Sequence, residues 1–528
     1  MAETRVNGHT PAQRHTRLGE MLAAQGAGHP EPPVAPLPRP AGPSGGEGGA
    51  GVAEAAKPLG EMPGALPVAW EVVQRLREQV SDDLEDIKKK HQAAKSSALS
   101  AADERQAAQA AVHERVAAAA AEHVAQPGRE PWTPEQVKAL RKAVLDALFL
   151  AGPIQQVLEW PGVEDVVIDR RMVVDFTDRP RQEFTSPFTD EEAKIDWVNQ
   201  MCARSGHRAG QLSPSRPMVD FDLPDGSRGS ATLLSPNAAT VALRRHRVEK
   251  ASLRELVDWG TLDGVLANFL AAAVKARFNI LVAGDMGRGK TTLMRALSRF
   301  IPARERVATL EDVLELRLDQ FTDGPHALSF QSRQSNGERD SNGNLIGEVT
   351  IADMVPMALR YRADRLMVGE VRSTEAVPML EAMVSGGAGS MCTIHAVSPD
   401  EVIERLMVPV TRAGLSDTAA YRLIASAIDL VVYVDGIDER DKVDQQGNPG
   451  RLHRFVSHVT EVTGRGEGSG VATGTVFAPK GEDPRARWAN GLTERRWLRL
   501  LSEGRFDKRW VEKYAAGTWP ELKLVVLR

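Results

Sequence analysis

The sequence is poor in cysteine. Of its 528 residues, two are cysteines, Cys202 and Cys392. That excludes a disulfide framework and a cysteine-based metal site, and it suits a reducing compartment. Long apolar runs are absent as well. No uninterrupted stretch reaches the roughly 18 residues that a membrane-spanning helix needs. The N-terminus lacks the apolar h-region of a signal peptide. Positive charge is not in excess either. Lys and Arg total 66 against 71 Asp and Glu, a formal net charge of −5, so no global basic balance points to nucleic acid. Aromatic residues make up 5% of the chain, but apolar residues reach 42%, ample for a core. At about 150 residues per domain, the length allows roughly three or four units.

Composition then divides the chain. Residues 1–68 are rich in Gly, Pro and Ala and carry few large apolar side chains. Such a lead cannot bury enough surface to offset its ordering entropy, so it is expected to be disordered and to tether or recruit. Residues 69–128 turn to Ala, Glu, Lys, Arg and Gln, which predicts one or two long solvated helices without a sustained leucine heptad. Thr133-Pro134-Glu135-Gln136 is a capping box with proline at the first helical position, opening a helix to about Leu150. Strands are expected at Val163–Asp169 and Met172–Phe176. Pro224-Asp225-Gly226, between Val219–Leu223 and Ala231–Leu234, reads as a hairpin turn. Residues 129–245 therefore form an expected α+β domain. From residue 246 to 528, apolar strands alternate with helices, the pattern of a doubly wound parallel sheet. In the tail beyond Val462, Trp488, Trp497, Trp510 and Trp519 interleave with arginines. Amphipathic packing is the expected reading there, with base stacking the alternative.

The chemistry centres on Gly284-Asp285-Met286-Gly287-Arg288-Gly289-Lys290-Thr291, which fits the phosphate-binding pattern G-x-x-x-x-G-K-[ST]. A short apolar strand, Asn279–Ala283, precedes it, and a helix, Thr292–Phe300, follows. Glycines let backbone N–H groups turn toward phosphate oxygens, and the helix N-terminus adds positive potential. Lys290 is placed to reach the β- and γ-phosphates and Thr291 to put its hydroxyl on Mg²⁺. Strands ending in acids supply the rest of a hydrolytic site. Glu311, Asp312 and Glu315 follow the strand Val307–Leu310, and Glu370 follows Leu366–Val368. His395 follows Met391–Ile394 and is read as a neutral hydrogen-bond partner of the γ-phosphate or Glu370. It should lie in the turn before a helix opened by Ser398-Pro399-Asp400-Glu401. Arg360, Arg362, Arg365 and Arg372 bracket the Glu370 strand as phosphate-binding candidates. The absence of an Asn-Lys-x-Asp motif leans the nucleotide toward ATP.

Together these strings resemble the type II/IV secretion ATPases, in particular the CpaF-like branch that powers Flp/Tad pilus assembly. GDMGRGKTT at 284–292 is joined by TLEDVLEL at 309–316, similar to that family's Asp box. LRYRADRLMVGEVRSTEA at 359–376 resembles its Walker B region, and AGSMCTIHAVSP at 388–399 its His box. MVDFDLPDGSR at 218–228, VALRR at 241–245 and TEVTG at 460–464 match further segments.

The resemblance implies a RecA-like P-loop ATPase domain preceded by a smaller α+β domain. It implies ATP and Mg²⁺ as cofactors, with Gly284, Gly287, Arg288, Gly289, Lys290, Thr291 and Thr292 as the nucleotide cradle. Arg228 and Arg244 would face the nucleotide from the preceding domain. Glu370, Glu315 and His395 take the catalytic roles, and Glu311 and Asp312 join Thr291 around the metal. It further implies a homo-hexamer that is cytoplasmic, lies at the inner face of the membrane and works on a platform protein, with no stable nucleic-acid partner. A type IV secretion or conjugation ATPase of the same fold is the near alternative, and a RecA-like nucleic-acid motor the distant one. Four residues depart from the family pattern: Gly387 stands where a histidine is usual, Ala363 where a proline is usual, and Asp285 and Met286 replace smaller residues of the phosphate loop.

Overall fold

The computed structural model describes residues 70–525, apart from 96–97, 206–209, 235–238, 246–250, 323, 334, 336–338, 342, 344–345, 445 and 467–469. The lead 1–68 lies outside the described residues. The chain divides into two compact units, one ending at Arg247 and one beginning at Val248.

The first unit opens with three helices, α1 (Trp70–Lys95), α2 (Ala101–Ala125) and α3 (Pro134–Phe149). Thr133 caps α3 as the sequence predicts: its hydroxyl accepts from Gln136 N, and the Gln136 side chain accepts from Thr133 N. The first two helices are not the solvated rods expected. Val73, Leu76, Val80 and Leu84 of α1 pack with Ala108, Val112, Val116 and Ala119 of α2 and Leu140, Ala143, Val144 and Ala147 of α3. The spacing of three and four puts each set on one face. Small alanines let α2 approach its neighbours closely, so a few Val and Leu side chains suffice. Arg115 clasps Asp83 from α2 to α1 at 2.8 and 2.5 Å.

The sheet of this unit contains β1 (Val163–Ile168), β2 (Arg171–Phe176) and β3 (Gln182–Thr185), then, after helix α4 (Glu191–Arg204), β4 (Met218–Asp222), β5 (Arg228–Thr232) and β6 (Thr240–Arg244). Its order is β3-β2-β1-β6-β5-β4, antiparallel throughout. Trp197, Val198 and Met201 of α4 cover Val166, Ile168 and Phe221. The β4–β5 turn falls at Pro224-Asp225-Gly226, with Gly226 at φ 82°. The second strand starts at Arg228 rather than Ala231, because Arg228 pairs with both Asp222 and Arg244 and carries the ladder up to the turn.

The second unit runs through α5 (Leu253–Asp258), α6 (Gly264–Lys275), β7 (Ile280–Gly284), α7 (Lys290–Ser298), β8 (Arg306–Glu311), β9 (His326–Gln331), α8 (Ile351–Arg360), β10 (Arg365–Val368), α9 (Ala376–Ser385) and β11 (Met391–His395). It continues with α10 (Val402–Arg412), α11 (Asp417–Ala427), β12 (Leu430–Asp438), β13 (Leu452–Arg465), β14 (Val471–Lys480), β15 (Asp483–Trp488), α12 (Glu494–Ser502) and α13 (Arg509–Tyr514). The strands form one nine-stranded sheet, β15-β14-β13-β12-β7-β11-β10-β8-β9. From β12 to β9 every pairing is parallel, and from β12 to β15 every pairing is antiparallel. Alternate residues of β7 serve opposite cores. Ile280 and Val282 join the core under α6 and α7, while Leu281 and Ala283 join the one under α8, α9, α10 and α11. Burial on both faces is why these strands read as continuous apolar runs.

Two expectations need amendment here. α10 begins at Val402 with no side-chain cap, so Ser398-Pro399-Asp400-Glu401 forms turns and no capping box. His395 is accordingly the last residue of β11 and no part of a turn. The tail tryptophans pack rather than present themselves for stacking. Phe269 of α6 meets Phe477, Trp488 and Phe506 at ring distances of 5.1, 6.2 and 5.9 Å. Trp510 is buried, and Trp519 donates to Ala486 O. No helix among the described residues is long and apolar enough to cross a membrane.

Candidate active site

Parallel register gathers the site. His395 pairs with Gly284, and Val368 pairs with both Leu310 and Cys392, so the carboxyl ends of β7, β11, β10 and β8 lie side by side. These ends carry Gly284, His395, Glu370 and Glu311. Ligands of open α/β sheets bind along this edge.

The loop between β7 and α7 suits a phosphate group. Gly284, Gly287 and Gly289 have φ of 151°, 69° and 89°. Gly289 stands as the N-cap of α7 without a side-chain cap, which leaves the first helical N–H groups at the mouth of the loop. Lys290 is buried, and its ammonium donates to Gly284 O and Asp285 O, both at 3.0 Å. Thr291 and Thr292 are half-buried at the start of α7. Among the described residues, no three His, Cys, Asp or Glu side chains gather as a metal cage. Mg²⁺ is usually held by one or two protein oxygens plus phosphate and water, and the Thr291 hydroxyl at the start of α7 is an oxygen of that kind.

From Lys290 a line of polar contacts crosses the strand ends. Its Nζ lies 3.3 Å from His395 Nδ1. His395 Nε2 is 3.3 Å from Glu370 Oε1, and Arg372 donates to Glu370 Oε2 at 2.5 Å. Burial opposes the charged imidazole and Lys290 adds to that, so His395 is held below its ordinary range and is neutral at pH 7. Burial would raise Glu370, but Arg372, His395 and Lys290 outweigh it and hold the carboxyl below the usual range. Arg372 is raised, chiefly by its bond to Glu370, with Asp312 and Glu315 adding to the field around it.

The remaining acids divide by environment. Glu311 turns inward: it is buried, and its Oε1 accepts from the backbone N–H groups of Glu315 and Leu316. Gly369 makes room for it, since a Cβ there would lie 3.0 Å from Glu311 Cγ. The Gly-Glu ending of β10 thus has a steric reason. Asp312 is exposed and accepts from the Ser332 hydroxyl at 2.7 Å, and Glu315 is half-buried beside Arg372.

The arginines also separate. Arg365 is fully buried and binds Glu305 twice, so it belongs to the framework and not to a phosphate site. Arg360 and Arg362 are exposed at the other end of β10. Arg228 and Arg244, in the first unit, are cross-strand partners on β5 and β6, with Arg244 4.0 Å from Asp165. Gly387 and Ala363 sit before β11 and β10, on the sheet edge away from the P-loop. Ala363 donates its backbone N–H to Ala358 O, a bond that proline could not make.

The structure adds a pair that motif reading missed. Arg454, on β13, donates to Gly287 O at 2.6 Å. Arg288 lies against Gly436 of β12, where a Cβ would meet Arg288 Nη1 at 2.7 Å and His453 O at 2.6 Å. No local pattern marks Arg454, which is 167 residues from Gly287 and arrives through the β12–β13 register.

Fold and site define a class: a P-loop α/β protein of RecA-like build, with acids and a neutral histidine at the neighbouring strand ends. Residues 215–464 match the model of the type II/IV secretion system protein family. A protein of Mycobacterium tuberculosis named for conjugal transfer is 33% identical over 310 residues, 57% of this chain and 84% of that one. The type IV secretion system protein PtlH of Bordetella pertussis is 32% identical over 252 residues, covering 42% and 71%. The crystal structure of the VirB11 ATPase from the Brucella suis type IV secretion system aligns with a TM-score of 0.29 at 25% identity, covering 58% of this chain and 91% of that one. The chain belongs to the type II/IV secretion system protein family.

Proposed function

We propose that this chain is an ATP-hydrolysing motor that powers a membrane-bound secretion or pilus-assembly machine from the cytoplasmic side. One observation carries the reading: the polar line Lys290–His395–Glu370–Arg372 across the strand ends beside an uncapped phosphate loop. Lys290 and the loop N–H groups bind the β- and γ-phosphates, with Arg288 and Thr292 completing the cradle. Glu370, kept ionised, orients the attacking water or takes its proton, and neutral His395 fixes the carboxylate and senses the γ-phosphate. Thr291 and Asp312 would hold Mg²⁺, which supplies charge neutralisation at the phosphates. Glu311 shapes the loop that presents Asp312 and Glu315. Arg228 and Arg244, cross-strand neighbours on one sheet of the first unit, are further candidates for binding phosphate by their resemblance to family positions. A homo-hexamer passes the motion to a platform protein in the membrane.

The finer assignment is to Flp/Tad pilus assembly, supported by the match of the Asp-box, Walker B and His-box strings. A type IV secretion or conjugation motor is the second reading, favoured by relatives named for conjugal transfer and type IV secretion. The test is phosphate release by the purified chain with Mg-ATP, beside Lys290→Ala and Glu370→Gln, with and without DNA. Each substitution is expected to lower release by roughly 10²–10³-fold with the fold retained. Wild-type turnover in Lys290→Ala would sink the site assignment, and strong DNA stimulation would favour a nucleic-acid motor.

A further inference from the structure

The sheet edge opposite the P-loop carries a second polar cleft. Lys275 ends α6, Arg277 follows it, Glu305 precedes β8 and Asp364 precedes β10, so these residues meet at the amino ends of the strands. With Arg304 and Arg505 they line a cleft of about 580 Å³, within the usual size range of small-ligand sites.

Its acids already have partners. Glu305 is bound by Arg365 and by Arg277 at 2.6 and 2.9 Å. Asp364 accepts from Arg306 N at 2.8 Å, and Glu503, at the rim, is 3.5 Å from Arg499. Two of the cations are different. Neither the Arg304 nor the Arg505 guanidinium has a hydrogen bond or an acidic partner among the described residues. Arg505 stands near Lys275, and its charge adds to burial in lowering that amine.

Backbone conformation fixes where two of the arginines stand. Arg277 and Arg505 both have left-handed backbones, with φ of 59° and 53°. Each closes a helix in the usual way: Phe278 N donates to Ala273 O behind Arg277, and Phe506 N donates to Leu500 O behind Arg505. The Arg277 guanidinium then bridges Glu305 and Asp364 O, and the turn at Arg505 is fixed by its neighbours. Gly504 is wedged against α6, where a Cβ would lie 2.5 Å from Ala272 O, and Phe506 is buried in the core. These contacts fix where the chain turns and hold the exposed, unpartnered Arg505 guanidinium at the mouth of the cleft.

We propose that this cleft is a second anion site that takes a phosphoryl group through Arg304, Arg505 and Lys275. The planar guanidinium fork matches phosphate oxygens, and three cations suit a multiply charged anion. The phosphoryl group comes either from a soluble phosphate or from a phospholipid headgroup.

The test uses the full chain carrying Lys290→Ala, which suppresses phosphate binding at the P-loop. The wild-type chain saturated with Mg-ADP serves as a second background. Inorganic pyrophosphate is expected to raise the melting temperature in both. Adding Arg304→Ser and Arg505→Gly should abolish that rise, with affinity falling roughly tenfold for each arginine removed. Arg505→Gly also relieves the left-handed backbone, so the ligand-free protein should melt at or above its parent temperature, separating lost binding from lost folding. Co-sedimentation with phosphatidylglycerol vesicles, against phosphatidylcholine, identifies the source. Pelleting lost in the same variants assigns a lipid headgroup, and a response to pyrophosphate alone assigns a soluble anion. A pyrophosphate shift undiminished by the cleft substitutions, or no response to either probe, overturns the proposal.

Discussion

Replacing Arg365 by Met separates framework from site among the arginines around β10. Arg365 is fully buried, its guanidinium binds both Glu305 oxygens at 2.6 and 3.2 Å, and it donates to Val274 O at 2.7 Å. Methionine keeps the apolar stem and removes the charge. Glu305 is then left buried with Arg277 alone, and the Val274 carbonyl loses one of its donors while keeping Arg277 N. Breaking a buried pair from one side costs about 3–5 kcal/mol. At a urea slope of about 2.5 kcal/mol/M, the unfolding midpoint should fall by about 1.5 M. Trp488, Trp497, Trp510 and Trp519 lie in the same unit, so tryptophan fluorescence reports the transition. The double variant Arg365→Met/Glu305→Leu removes both charges. It should return to within about 1 kcal/mol of wild type, because Arg277 is exposed enough to be solvated when it loses its acid. A wild-type midpoint in the single variant, or a double variant as unstable as the single, would refute the reasoning.

Further outcomes follow from the site. His395 is depressed below 6.5, so it stays neutral as pH falls through that value, and whatever neutral His395 contributes is present above 6.5 and lost at lower pH. The acid limb of turnover should therefore lie below pH 6.5, and a limb centred above it would contradict the assignment. Arg372→Ala removes one of the charges holding His395 down and the main influence holding Glu370 down, so the acid limb should move to higher pH in a pH–rate profile. An unmoved profile would exclude Arg372 from the site. Gly436→Ala drives a methyl group against His453 O and Arg288, which should cost about 1–3 kcal/mol and weaken fluorescent-nucleotide binding. Unchanged stability and affinity would show that the hairpin does not brace the loop.

Much of the second unit was readable from sequence, because strands buried on both faces are continuous apolar runs and phosphate loops need glycine at fixed places. Ile280–Gly284, Arg306–Glu311, Arg365–Val368 and Met391–His395 fall where those runs predict. Antiparallel additions were harder to read. β13 to β15 mix apolar with charged residues, and their register is broken by bulges between Val459 and Thr460, Val462 and Gly464, and Ala478 and Lys480, which blur any alternation. The helices of residues 70–125 misled because alanine, neutral in a burial pattern, becomes a close-packing residue once a third helix supplies Leu140 and Val144. Within the site, residue type did not fix role. Glu311 and Asp312 are adjacent, yet one is buried against backbone amides and the other faces outward. Arg365 and Arg372 differ in the same way. Local pattern finds the acids and cations, but side-chain direction at a strand end is decided by the space its neighbours leave, as Gly369 does for Glu311.

The β12–β13 hairpin touches two consecutive residues of the phosphate loop, Arg288 at Gly436 and Gly287 through Arg454. It does so near its own far end, beside the last paired positions, Asp438 and Leu452, where Glu439 is buried and accepts from Val525 N at 2.9 Å. The hairpin end is thereby held from two sides, by the phosphate loop through Arg454 and Gly436 and by the chain's last described residues through Val525 and Glu439. A change in how residues 523–525 pack would reach the β7–α7 loop through two hydrogen bonds and one steric contact.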